Sequence, residues 1–147
     1  MPHELEAASG PEDSLRRLAR LADEGRLPDA AVVEAPASAL AALAGGSGDV
    51  RITAYHPTQV EILANAAAPA LVVLTDTWDA GWHAQVNGRS APIYPVDHLF
   101  RGVPLPAGKS LIVMTYRPWT FITGAWVAGA ALAVALRLLL TPLRGRC

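Results

Sequence analysis

The sequence predicts a mainly β fold, in which a small antiparallel β-sandwich follows an N-terminal amphipathic helix and precedes one C-terminal transmembrane helix. Three observations lead to this prediction: alternating apolar and polar residues in short segments between positions 50 and 116, turn signals between them, and an apolar stretch over 119–140. The predicted parts, in order, are an N-terminal helical segment (1–30), a sandwich (31–117), a transmembrane helix (118–141) and a tail (142–147).

The N-terminal helix is predicted to start within Ser9–Ser14, with Pro11 near the first helical position, where proline is favoured, and with two acidic residues after it that face the positive end of the helix dipole. Leucines recur at intervals of three from Leu15 to Leu21, and Gly25 ends the pattern. Ala31–Glu34 then predicts a short strand. We expect the helix arginines to form a solvated face.

Period-two alternation begins after the helix. Val50–Tyr55 and Val60–Ala64 predict two antiparallel strands around a break at His56–Pro57. The continuous apolar run Ala70–Thr75 is typical of a central strand that is covered on both faces.

Four further segments complete the predicted sandwich. Asn87-Gly88 is the strongest short hairpin signal, because a type I′ turn needs positive φ at both central residues, and it lies between Trp82–Val86 and Ala91–Tyr94. Leu99–Leu105 and Ser110–Tyr116 are predicted to form the last antiparallel pair.

The apolar stretch Trp119–Leu140 is long enough to cross a bilayer, since about 22 residues of helix span roughly 33 Å. Trp119 suits the membrane interface, and Arg137 lies within a turn of the helix end, where it can snorkel to the headgroups. Arg144 and Arg146 follow, so the C-terminus is predicted to be cytoplasmic and the sandwich extracytoplasmic. The alternative, a core helix of a soluble domain, needs a larger surrounding protein.

This orientation requires a translocation signal, and residues 1–26 are charged and contain no apolar segment of that kind. Either the chain is the tail of a longer membrane protein, which we expect, or it is tail-anchored with its sandwich in the cytoplasm. Only Arg117 and Pro118 separate the last predicted strand from the helix. We therefore expect the sandwich to lie tightly against the bilayer.

The composition argues against several classes of function. A net charge of −1 provides no electrostatic basis for binding nucleic acid. The single cysteine, Cys147, excludes a disulfide within the chain and a thiolate metal cluster, and it is either an inert thiol or a palmitoylation site. We find no GxGxxG, Walker, HExxH, CxxC or GxSxG pattern, so no cofactor, metal site or catalytic residue is predicted.

Five segments occur in an order and spacing typical of one family. They are Val50–Val60, Leu71–Gly88, Phe100–Lys109, Tyr116–Pro118 and Phe121–Gly124. Together they resemble the C-terminal end of the YfhO-like bacterial membrane proteins, over Asp49–Leu140.

The resemblance implies a function in the bacterial cell membrane. These proteins are large and polytopic, and they are related to the GT-C glycosyltransferases, which use polyprenyl-phosphate sugars outside the cytoplasmic membrane. The upstream helices and the loop that carries catalytic acids are missing here, so the resemblance implies a non-catalytic C-terminal module and last membrane helix, implicated in cell-envelope glycosylation. Its expected partners are the lipid bilayer, other helices of the parent protein, and a glycan or lipid-linked sugar. The alternative is an independent single-pass protein whose sandwich binds a protein partner.

Aromatic residues on the sandwich loops are the candidates for glycan contact. Trp78 and Trp82 bracket one loop with Asp79, and Tyr94 is expected near them. Aromatic rings can stack on sugars, although filling of the core or contact with the membrane surface explains the same residues.

Two acidic residues and a histidine occur close together in the same loop. Asp76, Asp79 and His83 could bind a cation, act in acid–base chemistry or serve a small hydrolase, with Asp97 and His98 further along the chain. Capping of turns explains both carboxylates, and we prefer this explanation.

Small residues recur every four positions in the membrane helix, at Ala125, Gly129 and Ala133. Such a face permits close packing against another helix, in a polytopic parent or in a weak dimer.

Overall fold

The computed structural model describes residues 4–27, 30–43 and 47–140. Two compact units make up the chain, Met1–Tyr116 and Arg117–Cys147. The predicted tail, 142–147, lies outside the described residues, and with it Arg144, Arg146 and Cys147. The described helices and strands, in chain order, are β1 (Glu4–Ala8), α1 (Pro11–Asp23), β2 (Ala30–Glu34), α2 (Ala37–Leu40), β3 (Gly48–His56), β4 (Gln59–Ala66), β5 (Ala70–Thr77), β6 (Trp82–Val86), β7 (Arg89–Ala91), β8 (Tyr94–Val96), β9 (Phe100–Leu105), β10 (Gly108–Tyr116) and α3 (Trp119–Leu140).

Two five-stranded sheets form a sandwich, which confirms the predicted fold class. The first sheet has the order β1-β2-β8-β9-β5, and the second has the order β3-β4-β10-β6-β7. Alternate residues of each strand point into the space between the sheets. Val60, Ile112 and Met114 of the second sheet pack there in one apolar cluster with Val72 and Val103 of the first.

The first sheet has one parallel pair at its edge. β1 and β2 run parallel, and α1 connects them as a crossover helix whose buried Leu21 packs against Ala8, Ala30 and Val32. The predicted helix is confirmed, and the short strand β1 was not predicted. A helical crossover of this kind is the connection that two parallel neighbouring strands need.

The predicted position of β5 is wrong. β5 is the last strand of the first sheet, not a central strand. Its first residues are nevertheless buried on both faces. Ala70 and Val72 belong to the cluster between the sheets, and Leu71 belongs to a second cluster on the opposite face with Leu40 of α2. The apolar run reflects this double burial, which an edge position also permits.

The predicted pairing of the last two long strands is also wrong. β9 pairs with β5 and β8, whereas β10 pairs with β4 and β6. The chain crosses from one sheet to the other at residues 106–107, so Leu105 and Ile112 meet across the core rather than along a ladder. Similarly, the hairpin partner of β6 ends at Ala91, and Tyr94 lies in the first sheet.

The hairpin at Asn87-Gly88 is confirmed, with φ angles of 52° and 77° at the two residues. Asn87 adds a second contribution, since its Oδ1 accepts a hydrogen bond of 2.9 Å from the backbone N–H of Leu111 in β10. The turn is therefore tied to a strand outside the hairpin.

We expect Asn87→Ala to lower the free energy of unfolding by about 1–2 kcal/mol, because alanine disfavours positive φ and leaves the Leu111 N–H without its acceptor. Urea unfolding followed by circular dichroism measures the change. Arg89→Ala, at the exposed first residue of β7, is the control, with an expected change within about 0.5 kcal/mol. A loss for Asn87→Ala no larger than that of the control would contradict the prediction.

The helix α3 spans Trp119–Leu140, the predicted transmembrane stretch. Within it, residues Thr123–Leu140 have a mean hydropathy of 1.7, and none of this window is buried in the protein. It is the one helix among the described residues that is long and apolar enough to cross a membrane. Trp119 begins the helix and Arg137 lies in its last turn, as predicted.

Candidate functional site

Five strands bring polar and aromatic side chains together at one end of the sandwich. Tyr55 of β3, Asp76 of β5, Trp82 of β6, Arg101 of β9 and Tyr116 of β10 line a depression of about 310 Å³. The register places Tyr116 directly opposite Trp82, and their rings lie 5.2 Å apart. The site therefore combines both sheets at the end where β10 finishes.

Arg101 is the centre of this group, and the sequence analysis did not identify it. Its side chain is only 1% exposed, and its Nη2 donates to Oδ2 of Asp76. Its Cζ lies 4.0 Å from the centre of the Trp82 ring, a cation–π geometry. Nε and Nη1 have no hydrogen-bond partner among the described residues. An arginine in an otherwise alternating strand was the only signal in the sequence.

Asp76 is held by three donors. It accepts hydrogen bonds from Arg101, from the Tyr55 hydroxyl at 2.6 Å and from the backbone N–H of Thr77 at 2.9 Å. The Tyr55 hydrogen bond and the Arg101 charge hold the pKa of Asp76 below its usual value, while the same hydrogen bond raises the pKa of Tyr55. Asp76 lies within β5 and not in a turn, so its bond to Thr77 is local and the ion pair with Arg101 goes beyond turn capping.

A second depression, also of about 310 Å³, shares Asp79 and Trp82 with the first and is lined further by Trp78 and His83. Asp79 Oδ1 accepts a hydrogen bond of 2.7 Å from the Gly81 N–H, so the expected turn capping is present. Burial, followed by the charge of Asp79, raises the pKa of Tyr116. Trp78 is 37% exposed and available for contact.

Three of the four candidates for glycan contact thus lie together, and Tyr94 does not lie with them. Tyr94 packs against the cluster on the opposite face of the first sheet, and it lines neither depression. The reason is the crossing of the chain after β7, which moves Tyr94 into the first sheet. Among the described residues, no group of three or more His, Cys, Asp or Glu side chains could hold a metal ion.

Asp97 and His98 lie in the β8–β9 turn and have structural partners there. Both have positive φ, 49° and 63°. Asp97 Oδ1 accepts a hydrogen bond of 2.8 Å from the Val32 N–H, and His98 Nδ1 lies 3.2 Å from Oε1 of Glu34. Burial raises the pKa of Asp97 despite the bond to Val32.

Replacing Asp97 with asparagine is expected to stabilise the fold at pH 7, because the amide keeps the acceptor for Val32, tolerates positive φ and removes a partly buried charge. Since burial raises the folded pKa of Asp97 above 3.8, the native state is penalised as the pH rises through that window. The gain should therefore be larger at pH 7 than at pH 4, measured by urea unfolding. Equal gains at both pH values would refute the electrostatic part, and Asp49→Asn on the exposed strand β3 is the control.

Two larger depressions lie elsewhere on the sandwich. One, of about 610 Å³, lies beside the start of α1, where Asp13 and Arg17 already pair with each other. The other, of about 650 Å³, is lined mainly by prolines and aliphatic side chains around Pro104 and Leu105. Neither brings together unpaired polar groups and aromatic rings in the way that the depressions beside Trp82 do.

Comparison with known proteins identifies the family. The family model described as bacterial membrane protein YfhO matches residues 26–128, which is more than half of the chain and includes β2–β10 and the start of α3. No curated protein and no solved structure matches the chain significantly. A membrane-length helix after the sandwich agrees with membrane localisation. The chain belongs to the family of the bacterial membrane protein YfhO.

Proposed function

We propose that this chain is a non-catalytic, extracytoplasmic module with the last membrane helix of a YfhO protein, and that it holds a glycan or lipid-linked sugar during cell-envelope glycosylation. The sugar would lie in the two depressions beside Trp82. The module would orient a ligand for chemistry performed elsewhere in a parent protein.

One observation carries this proposal: aromatic rings and hydrogen-bonding side chains converge on shallow, open depressions. Trp78, Trp82 and Tyr116 offer ring surfaces, and Asp79 and Arg101 offer an acceptor and donors. Sugars present C–H groups that pack on aromatic rings and hydroxyls that bond carboxylates and guanidinium groups. Each depression is near the lower size limit of small-molecule sites.

The electrostatics support a binding role rather than hydrolysis. A glycosidase needs two carboxyl groups, one of which keeps a raised pKa so that it can donate a proton. The pKa of Asp76 is shifted in the opposite direction, and its oxygens are held by Tyr55, Thr77 and Arg101.

The connection along the chain supports a ligand that is presented at the membrane. Tyr116, which lines the first depression, is the last residue of β10, and only Arg117 and Pro118 lie between it and α3.

The basic residues Arg137, Arg144 and Arg146 favour a cytoplasmic C-terminus. A reporter fused after Cys147 tests this: cytoplasmic green fluorescent protein should fluoresce, and alkaline phosphatase should remain inactive. The opposite pair of results would overturn the orientation.

The NMR signals of the four tryptophans of the chain provide a test of glycan binding. In a titration of the full chain in lipid nanodiscs with bacterial envelope polysaccharide, the indole N–H signals of Trp78 and Trp82 should shift saturably. Trp119 and Trp126 of α3 are internal controls and should not move. Unchanged Trp78 and Trp82 signals would overturn the function.

The second candidate is an independent single-pass protein whose sandwich binds a protein partner. Two leucines that face each other on the outside of the second sheet favour it, since Leu63 is 49% exposed and Leu111 is 41% exposed. An adjoining upstream reading frame that encodes many membrane helices would favour the module of a parent protein. A gene with its own promoter and start codon would favour this alternative.

A further inference from the structure

We propose that the depression beside Arg101 selects uncharged sugars, whose hydroxyl groups accept hydrogen bonds from the guanidinium and donate to the carboxylates of Asp76 and Asp79. This inference rests on the glycan-binding function proposed above. It adds the class of sugar that binds and the residues that choose it, and it excludes anionic groups such as phosphate and uronate from this site.

The donors come from Arg101. This side chain lines the depression and is 1% exposed, yet Nε and Nη1 have no acceptor among the described residues. A buried donor without an acceptor is unfavourable, so a ligand oxygen that reaches it is favoured. The third nitrogen, Nη2, is already committed to Asp76.

Access to these nitrogens requires a side chain to move, because both atoms are shielded from solvent. The indole of Trp82 covers one face of the guanidinium, with Cζ 4.0 Å from the ring centre. We therefore expect this indole to move on binding, which makes its N–H signal the most sensitive reporter of the site.

The charge of the depression decides between neutral and anionic ligands. One guanidinium faces two carboxylates, Asp76 and Asp79. Tyr55 and Tyr116 have raised pKa values, so both hydroxyls are neutral at pH 7. His56 also lines the depression. The walls therefore have no excess of positive charge to bind phosphate or carboxylate, in contrast to anion sites built from several basic groups.

A hydroxyl group fits this arrangement because it accepts and donates at the same time. One hydroxyl can accept from Arg101 and donate to a neighbouring carboxylate, whereas an ionised oxygen can only accept. An anion would gain the bond to Arg101 and meet the repulsion of Asp79.

The test uses matched sugars that differ at C6, where the neutral glycoside has a hydroxymethyl group and its uronate has a carboxylate. Methyl glycosides of glucose, galactose and mannose, and the uronate of each, are titrated at low salt against the full chain in nanodiscs while the Trp82 indole is followed. At least one neutral glycoside should shift the signal saturably, and its uronate should bind at least tenfold more weakly. Asp79→Asn should bring the two affinities closer, whereas Asp49→Asn should leave their ratio unchanged.

The outcomes separate this inference from the function on which it rests. Uronates that bind as tightly as neutral glycosides, or an unchanged ratio in Asp79→Asn, would overturn the selection and leave glycan binding intact. A response to envelope polysaccharide without any response to the neutral glycosides would also overturn the inference alone. Indoles that respond to neither the polysaccharide nor the glycosides would overturn both.

Discussion

Replacing Asp76 with alanine is expected to lower the free energy of unfolding by about 3 kcal/mol, because its ion-pair partner Arg101 is buried. The substitution leaves a guanidinium that is 1% exposed without its ion-pair partner. Tyr55 also loses its acceptor. Urea unfolding of the full chain in detergent micelles, followed by circular dichroism, measures the loss.

Replacing Arg101, the other member of the ion pair, should lower the free energy of unfolding by less. Arg101→Met removes the buried charge itself, and the carboxylate that remains has a side chain 35% exposed and keeps its hydrogen bonds from Tyr55 and Thr77. We expect a loss of about 1 kcal/mol, because a buried ion pair can often be replaced by apolar groups of similar volume. The double variant Asp76→Ala/Arg101→Met should be more stable than Asp76→Ala alone.

The matched control is Asp79→Ala, which removes a neighbouring carboxylate that accepts a hydrogen bond from the backbone N–H of Gly81. It should cost about 1 kcal/mol, as expected for one ordinary hydrogen bond. The prediction is wrong if Asp76→Ala lowers the free energy of unfolding no more than this control does. It is also wrong if adding Arg101→Met to Asp76→Ala does not restore part of the lost stability.

Placing a charge at the centre of α3 is expected to prevent stable membrane integration. Ala130→Asp introduces a carboxylate into a helix whose apolar window has a mean hydropathy of 1.7, at a cost of about 2.5–3.5 kcal/mol on insertion scales. This cost corresponds to a loss of roughly a hundredfold in the insertion equilibrium. Extraction of membranes at alkaline pH, followed by immunoblotting, should find the variant in the soluble or aggregated fraction and the unsubstituted chain in the membrane.

Position along the helix provides the control for this experiment. Thr120→Asp puts the same carboxylate in the first turn, where it can reach the headgroups and faces the positive end of the helix dipole. It should remain in the membrane fraction. Equal extraction of both variants would contradict a bilayer-spanning position for α3.

Local signals predicted several of the helices and turns. Pro11 and the leucine spacing predicted α1, Asn87-Gly88 predicted the turn between β6 and β7, and the apolar length predicted α3 with its bounds. Each of these signals acts through residues that are neighbours along the chain, so the sequence contains the whole physical cause.

The pairing of strands and the set of residues that form the site could be predicted from the sequence only in part. The sequence predicted β9 and β10 as partners because they are consecutive, but their apolar faces meet across the core instead. Trp78, Asp79 and Trp82 were found because they lie close together in the sequence. Arg101 was missed because its partner Asp76 is 25 residues away.

The sequence by itself determined a strand-rich unit, a membrane-length helix and the family to which the chain belongs, since short-range patterning and composition suffice for these. Only the tertiary structure decided which sheet each strand joins, that Tyr94 lies apart from the tryptophans, and that a buried arginine links Asp76 to Trp82. The reason is physical: burial and charge pairing depend on contacts between distant segments, which exist only after the sheets have packed together.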